Sequence, residues 1–358
     1  MEQVLINQKS LRERKNIKQI QKASFRKYGR GKKSILKNRM GKMVAVAEPT
    51  IRSRTEGVFV PEIPQEELLR ILRESQLTGM SGNNFPVVQK LESFLRSKKE
   101  KRMLIVNGVE CEPGLLHDEW LLEHCFDEIR AGIQLICKTL QIRNSVLAVK
   151  TSSVPEARGI HVCCVPARYP MGEEHILIRQ LLGIQMEKEQ HPAEEGFLVI
   201  NVQTVYQIYH LCQKTYQDGR YVTLANLDTG EAKVAFVKNG EGIRNTLERI
   251  FQNQKNRKCF AGGGILSAHP IDGEECFSGN VSFAAIGEPA NVSNDNPCRK
   301  CGKCSRKCPM GVDVKEIVRR REHNQNADIT GLGLEKCIHC NSCTYFCSAG
   351  KNIASLLE

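Results

Sequence analysis

The chain is 358 residues long, enough for two or three domains, and carries 16 cysteines and a formal net charge of +12. No apolar run approaches the ~20 residues a membrane-spanning helix needs, and no Ser–His–Asp set or phosphate-transfer motif stands out. The charge does not point to nucleic acid as a partner of the body, because residues 1–42 hold 14 Lys and Arg against only Glu2 and Glu13, which places the whole positive excess in one N-terminal arm.

That arm, residues 1–48, is acid-poor and lacks sustained apolar periodicity. Leu5, Leu11, Ile17 and Ile20 could line a weak helix, which Gly29, Gly31 and Gly41 interrupt. Its composition fits a solvated tail; docking to an acidic partner, to anionic lipid headgroups or to RNA stays open, as does a true start at Met40 or Met43.

Residues 49–215 alternate helix and strand. Gln65 to Glu74 reads as an amphipathic helix, and a glycine-bearing loop, Gly79-Met-Ser-Gly82-Asn-Asn-Phe85-Pro86, leads into a second helix from Val87 to Leu95 that carries Lys90. Glycines before a helix N-terminus can present backbone N–H groups to a phosphate. Arg102 to Val106 is a short buried strand that runs into Asn107-Gly-Val-Glu110-Cys-Glu112-Pro-Gly114, followed by one long helix from Asp118 to Leu140. Strands at Ser145 to Lys150, His161 to Pro166 and Phe197 to Ile200 follow, with Arg168-Tyr169-Pro-Met-Gly172-Glu173-Glu174 and Asn201-Val-Gln-Thr204 each opening a helix. This alternation predicts a mainly parallel α/β sheet with covered faces and ligands at the carboxyl ends of the strands.

From 216 to 285 the pattern changes to short strands, Tyr221 to Ala225 and Lys233 to Val237, with a helix near Gly242 to Phe251 and a turn at Gly262-Gly-Gly264. It reads as a small α+β module. The last segment, 286–358, holds Cys298, Cys301, Cys304 and Cys308, then Cys337, Cys340, Cys343 and Cys347.

Both runs space their cysteines C-x2-C-x2-C-x3-C, the pattern of two-cluster ferredoxins, in which the fourth cysteine of each run ligates the other cluster. Two [4Fe–4S] clusters are therefore expected, one on Cys298, Cys301, Cys304 and Cys347 and the other on Cys337, Cys340, Cys343 and Cys308. Disulfides belong to small secreted domains, and zinc sites use paired hooks with longer spacers, so both match poorly. His339 reads as a solvent-side or hydrogen-bonding residue, and Cys125, Cys137, Cys163, Cys164 and Cys212 read as core thiols.

The three polar motifs Asn107–Gly114, Arg168–Glu174 and Asn201–Thr204, followed in this order by the double cysteine run, resemble the RnfC-like proteins. These include the RnfC component of the Rnf ferredoxin:NAD oxidoreductase and are similar to the flavin subunit of respiratory complex I. The resemblance spans about residues 60–355. It implies a Rossmann-like flavin-subunit domain, an SLBB-type β-grasp-like module and a helical ferredoxin-type domain, with FMN as a further cofactor. By motif position Gly82 and Lys90 resemble phosphate-contacting residues, Asn107, Glu110, Tyr169, Glu173 and Asn201 resemble flavin-site residues, and Glu112 resembles the acid near the nicotinamide. Ser81, Asn83 and Asn84 depart from the family's bare glycine loop, which disfavours NAD(P)H. The implied function is electron relay, from NAD(P)H through FMN or from another donor, to a partner reductase or a membrane Rnf-type complex, in the cytoplasm or peripherally on the inner membrane face. The alternative is a cluster-bearing scaffold recruited through the basic arm.

Overall fold

The computed structural model describes residues 58–357 apart from 82–83, 111, 151–159, 188, 253–256, 272–273, 290–291 and 325. The reading of the arm, and those of Gly82 and Asn83, lie outside the described residues.

Helix α1 (Gln65–Ser75) starts after Pro64 with Glu66 and Glu67 in its first turn, where carboxylates complement the helix dipole. It buries Leu68, Leu69 and Leu72, and Gln76 ends it at φ 52°. Helix α2 (Val87–Arg96) follows Pro86 and turns Val87, Leu91 and Phe94 into the same core.

A four-stranded parallel sheet takes the order β3-β2-β1-β4. Its strands are β1 (Met103–Gly108), β2 (Asn144–Val149), β3 (His161–Cys164) and β4 (Phe197–Asn201). Strands β2 and β3 wind away on one side of β1, while β4 lies on the other. The strand order thus reverses between β1 and β4, which opens a crevice at their carboxyl ends. There Asn107 stands in register with Asn201.

The long helix expected between Asp118 and Leu140 is two helices, α3 (His117–His124) and α4 (Phe126–Thr139), broken at Cys125 (φ −124°, ψ 30°). No Pro or Gly marks the break. Both pieces pack on α6 (Val202–Cys212), and α3 in addition reaches the following module, where Trp120 lies against Tyr221 at 4.9 Å between ring centroids. Helix α5 (Glu174–Leu182) is capped by the Glu173 carboxylate, which accepts from the Ile176 N–H.

The module holds a five-stranded mixed sheet in the order β6-β5-β9-β7-β8. It consists of β5 (Gly219–Asn226), β6 (Ala232–Lys238), β7 (Cys259–Gly262), β8 (His269–Ile271) and β9 (Phe283–Ile286), with helix α7 (Ile243–Phe251) packed on β9. Strands β7, β8 and β9 were not legible in the sequence, being three or four residues long. The C-terminal segment folds as short helices α8 (Lys303–Lys307), α9 (Val314–His323) and α10 (Ser342–Tyr345) around Val312, Val314, Ile317, Val318, Ile353 and Leu357.

Of the five cysteines read as core, Cys125, Cys137, Cys163 and Cys212 are half-buried and pack against the apolar clusters, whereas the reading of Cys164 is corrected: it is exposed, at the end of the edge strand β3.

Candidate functional site: a polar crevice and two cysteine cavities

At the carboxyl ends of β1 and β4 both asparagines are fully engaged. Asn107 donates from Nδ2 to the Gly172 carbonyl (2.9 Å) and accepts from the Val109 N–H (3.0 Å). Asn201 caps α6 by accepting from the Gln203 N–H (2.8 Å) and donates to Asp118 Oδ2 (2.8 Å). Short polar side chains fit here because the strand-to-helix turn leaves the first helical N–H groups without partners.

Glu110 is buried, accepts from the Glu119 N–H (3.0 Å) and pairs with the Lys150 ammonium at the end of β2. Burial alone would disfavour the Lys150 charge, but the Glu110 carboxylate overrides it and the pKa is raised. Asp118, fully enclosed and facing the Glu110 charge, is shifted upward, and Glu119 is pushed up to about 7 by burial and then by Glu110. Neighbouring His117 is held neutral by burial, its pKa lowered to about 3. Asp118 Oδ1 has no hydrogen-bond partner, a buried acceptor of the kind a ligand or water satisfies.

Lys90 lies beside this crevice, its Nζ 2.5 Å from Glu174 Oε1 and 3.1 Å from the Val199 carbonyl on the open edge of β4. Glu173 accepts from the Ile176 N–H and sits 3.0 Å from His175 Nδ1. Glu112 reaches away to the module. Its carboxylate accepts from the Leu266 N–H (2.8 Å) and the Ser267 hydroxyl (2.7 Å), and it occupies the space a Cβ on Gly264 would need.

Arg220, fully buried at the start of β5, ties the glycine loop to the module. It donates to the carbonyls of Met80 (2.7 Å) and Gly279 and to the Ser282 hydroxyl (3.0 Å). Asn84, at φ 48°, lies over Gly279 where a Cβ would sit. Met80 N–H is held by the Thr204 hydroxyl at 2.9 Å. Sequence reasoning passed over Asp118, Lys150 and Arg220. A charged residue closing an apolar strand, as Lys150 does after Val146-Leu-Ala-Val149, is the signal that could have found one of them.

The eight cysteines of the C-terminal segment fall into two cavities. Cys308, Cys337, Cys340 and Cys343 line one, with His339 at its exposed rim; Cys298, Cys301, Cys304 and Cys347 line the other. Left-handed backbone at Lys300, Gly302, His339 and Asn341 curls each loop around its cavity. Among the described residues no three His, Cys, Asp or Glu side chains converge closely enough to hold a single metal ion. Four thiols lining each cavity, on loops of the two-cluster ferredoxin spacing, fit a cubane cluster.

The parallel sheet with its polar crevice, followed by paired four-cysteine cavities, defines a chain with an α/β domain whose ligand site lies at its strand ends and a C-terminal domain of the ferredoxin type. Residues 72–210 match the Nuo51 FMN-binding domain, and residues 297–351 match the 4Fe-4S dicluster domain. Its curated relatives include C subunits of ion-translocating oxidoreductase complexes. The chain is 25% identical over 308 residues to the C subunit of the ion-translocating oxidoreductase complex of Buchnera aphidicola, covering 79% of this chain and 62% of that protein. With the C subunit of the proton-translocating ferredoxin:NAD(+) oxidoreductase complex of Clostridium ljungdahlii it shares 28% over 275 residues, 70% of this chain and 58% of the relative. The chain thus spans less than two thirds of these relatives' length. In fold it is similar to a chain of an NAD+-reducing [NiFe]-hydrogenase, with a TM-score of 0.59 at 15% identity over 85% of this chain and 63% of that one.

The crevice fits an FMN in kind: a lysine that a phosphate can recruit, paired carboxylates and asparagines around the strand ends, and the unsatisfied Asp118 Oδ1. Among the described residues no helix is long and apolar enough to cross a membrane.

Proposed function

We propose that the chain relays electrons between a flavin at the β1–β4 crevice and two [4Fe–4S] clusters, as the soluble-side subunit of a membrane-bound Rnf-type complex. FMN supplies the conversion between an electron pair and single electrons, and the clusters supply one-electron steps. The protein's own part is positioning. Lys90 would bind the flavin phosphate, and Asn107, Glu110, Tyr169, Glu173 and Asn201 would shape the ring environment. The cysteines would hold the clusters in the crossed sets their cavities suggest.

The observation that carries this reading is a bond between the two halves. Tyr169, in the loop whose Gly172 carbonyl anchors Asn107, donates from its hydroxyl to the Cys340 carbonyl. Ile338 also packs into the core beneath β1 and β2. The flavin-side loop and one cysteine loop are thereby a single contact surface, which is what a relay between two cofactors requires.

NADH is a poor donor in this reading. The family's loop is bare glycine backbone that lets a nicotinamide approach closely, whereas Ser81 and Asn84 carry side chains in that loop here and Arg220 pins it to the module. Anaerobic purification or reconstitution is expected to give about eight irons and eight acid-labile sulfides per chain, with an FMN spectrum. Stoichiometric zinc without sulfide would refute the relay. Efficient NADH turnover by the unmodified protein would refute the donor assignment.

A further inference from the structure

The two cysteine runs have one spacing, but the residue before the third thiol is Lys303 in the first and Ser342 in the second. Each lines its own cavity, and the chemistry they bring differs: an ammonium on a long stem against a short hydroxyl. Ser342 is 1% exposed, and its Oγ lies 3.3 Å from Cys340 Sγ. Among the described residues that hydroxyl has no other hydrogen-bond partner. The pair is fixed from both sides. Ser342 opens α10, where its carbonyl accepts from the Phe346 N–H, and the Cys340 carbonyl accepts from the Tyr169 hydroxyl. The corresponding contact in the other run is looser. Cys301 Sγ and the Ser348 hydroxyl are 3.8 Å apart and Cys301 is exposed, so water competes for the bond.

We propose that Ser342 tunes the centre held by Cys308, Cys337, Cys340 and Cys343: its hydroxyl donates to the Cys340 thiolate and raises the reduction potential of that centre. The inference rests on the relay reading above and adds a residue that the cysteine spacing does not name. A free Cys340 thiol can give its own proton to Ser342 Oγ, but a thiolate that ligates iron has none to give. The hydroxyl hydrogen then turns to the sulfur, because a buried hydroxyl without an acceptor is costly. Donation to a ligand sulfur offsets negative charge, and reduction adds negative charge, so the bond is stronger in the reduced state. The other run carries Lys303 at this place, so the effect is confined to one centre.

The test uses the full-length, cluster-loaded protein and Ser342→Ala, which removes the hydroxyl and little volume. Iron and acid-labile sulfide are counted first, so a failure of the relay reading shows there, before any potential is read. The centre is identified by the paramagnetic resonance signal that Cys340→Ser changes. In redox titration Ser342→Ala is expected to move the midpoint of that centre to a more negative potential. Its reduced-to-oxidised ratio at the wild-type midpoint should fall about threefold or more, with the other centre unmoved. An iron–thiolate stretching band in the Raman spectrum should move to higher frequency in the same variant, because the sulfur no longer shares its charge with the hydroxyl. Ser348→Ala is expected to leave the Cys340 centre where it is. If Ser342→Ala loses iron, Ser342→Cys is read in its place, where the weaker S–H donor should give a smaller shift of the same sign. An unmoved midpoint, equal movement of both centres, or a shifted midpoint without the Raman change overturns the proposal.

Discussion

The hydroxyl of Tyr169 donates to the carbonyl of Cys340, 171 residues further along the chain. The tyrosine sits edge-on to Tyr345, at 6.4 Å between ring centroids, and Tyr345 in turn meets Phe346. The contact joins the loop beside the crevice to the backbone of one cysteine loop. Tyr169→Phe keeps the ring and removes the bond, so a loss of about 1 kcal/mol in stability is expected. Its diagnostic effect is a shifted reduction potential of the centre held by the 337–343 run, with the other unmoved, read by redox titration with paramagnetic resonance. Equal shifts at both centres would mean the bond is not local to one of them.

The fourth thiols offer a sharper test of the cysteine sets. Cys308 belongs by sequence to the first run but lines the cavity of the second, and Cys347 does the reverse. Cys308→Ser is expected to damage the centre with Cys337, Cys340 and Cys343, and Cys347→Ser the one with Cys298, Cys301 and Cys304. Signals lost in the uncrossed order would contradict the assignment.

Arg220 is a buried cation whose hydrogen-bond partners are two carbonyls and a hydroxyl, with no carboxylate in contact. Burial lowers its pKa to about 10, still well above neutrality. Arg220→Met would leave Met80 O, Gly279 O and Ser282 Oγ without their donor, at a cost of about 3 kcal/mol. Faster amide exchange should follow in residues 79–86. Unchanged exchange there would show that Thr204 alone holds the loop.

His117 gives a pH dependence with a definite sign. Its folded pKa of about 3 lies below the ordinary 6.5, so the unfolded chain binds the proton first. Stability from this group is present above pH 6.5 and is lost as pH falls toward 3, by about 2 kcal/mol between pH 7 and pH 5. Glu119 acts in the opposite sense: its pKa of about 7 exceeds the ordinary carboxyl value, so its ionisation costs stability as pH rises from 4.5 to 7. Denaturant titrations of wild type and His117→Gln at both pH values isolate the histidine. The difference between the proteins should shrink in the acid range as the wild type pays for a charge the variant cannot take. A pH-independent difference would mean that His117 is protonated inside the fold.

Part of this protein is written in short-range patterns, and that part the sequence alone determined. Cysteine spacing acts within one loop, so both four-cysteine runs could be read directly. The 3.6-residue periodicity likewise set α1 and α2, and short continuous apolar runs set the strands β1, β2 and β4, to within one or two residues. The motif order led to the flavin-type domain for the same reason, since each motif is a contiguous loop at a strand end.

The tertiary structure decided everything that depends on residues far apart. It broke the helix at Cys125, where α3 leaves the line of α4 to reach the module as well as α6, and it paired the three short strands that only a sheet can stabilise. It also turned Glu112 toward the module and gathered Glu110, Asp118, Lys150 and Arg220 from four separate segments. Buried charges take their meaning from solvation and from partners across the fold, and neither is encoded in local spacing. The same is true of the two cysteine cavities: identical in sequence pattern, they are set apart by contacts from distant segments, such as the Tyr169 bond to the Cys340 carbonyl.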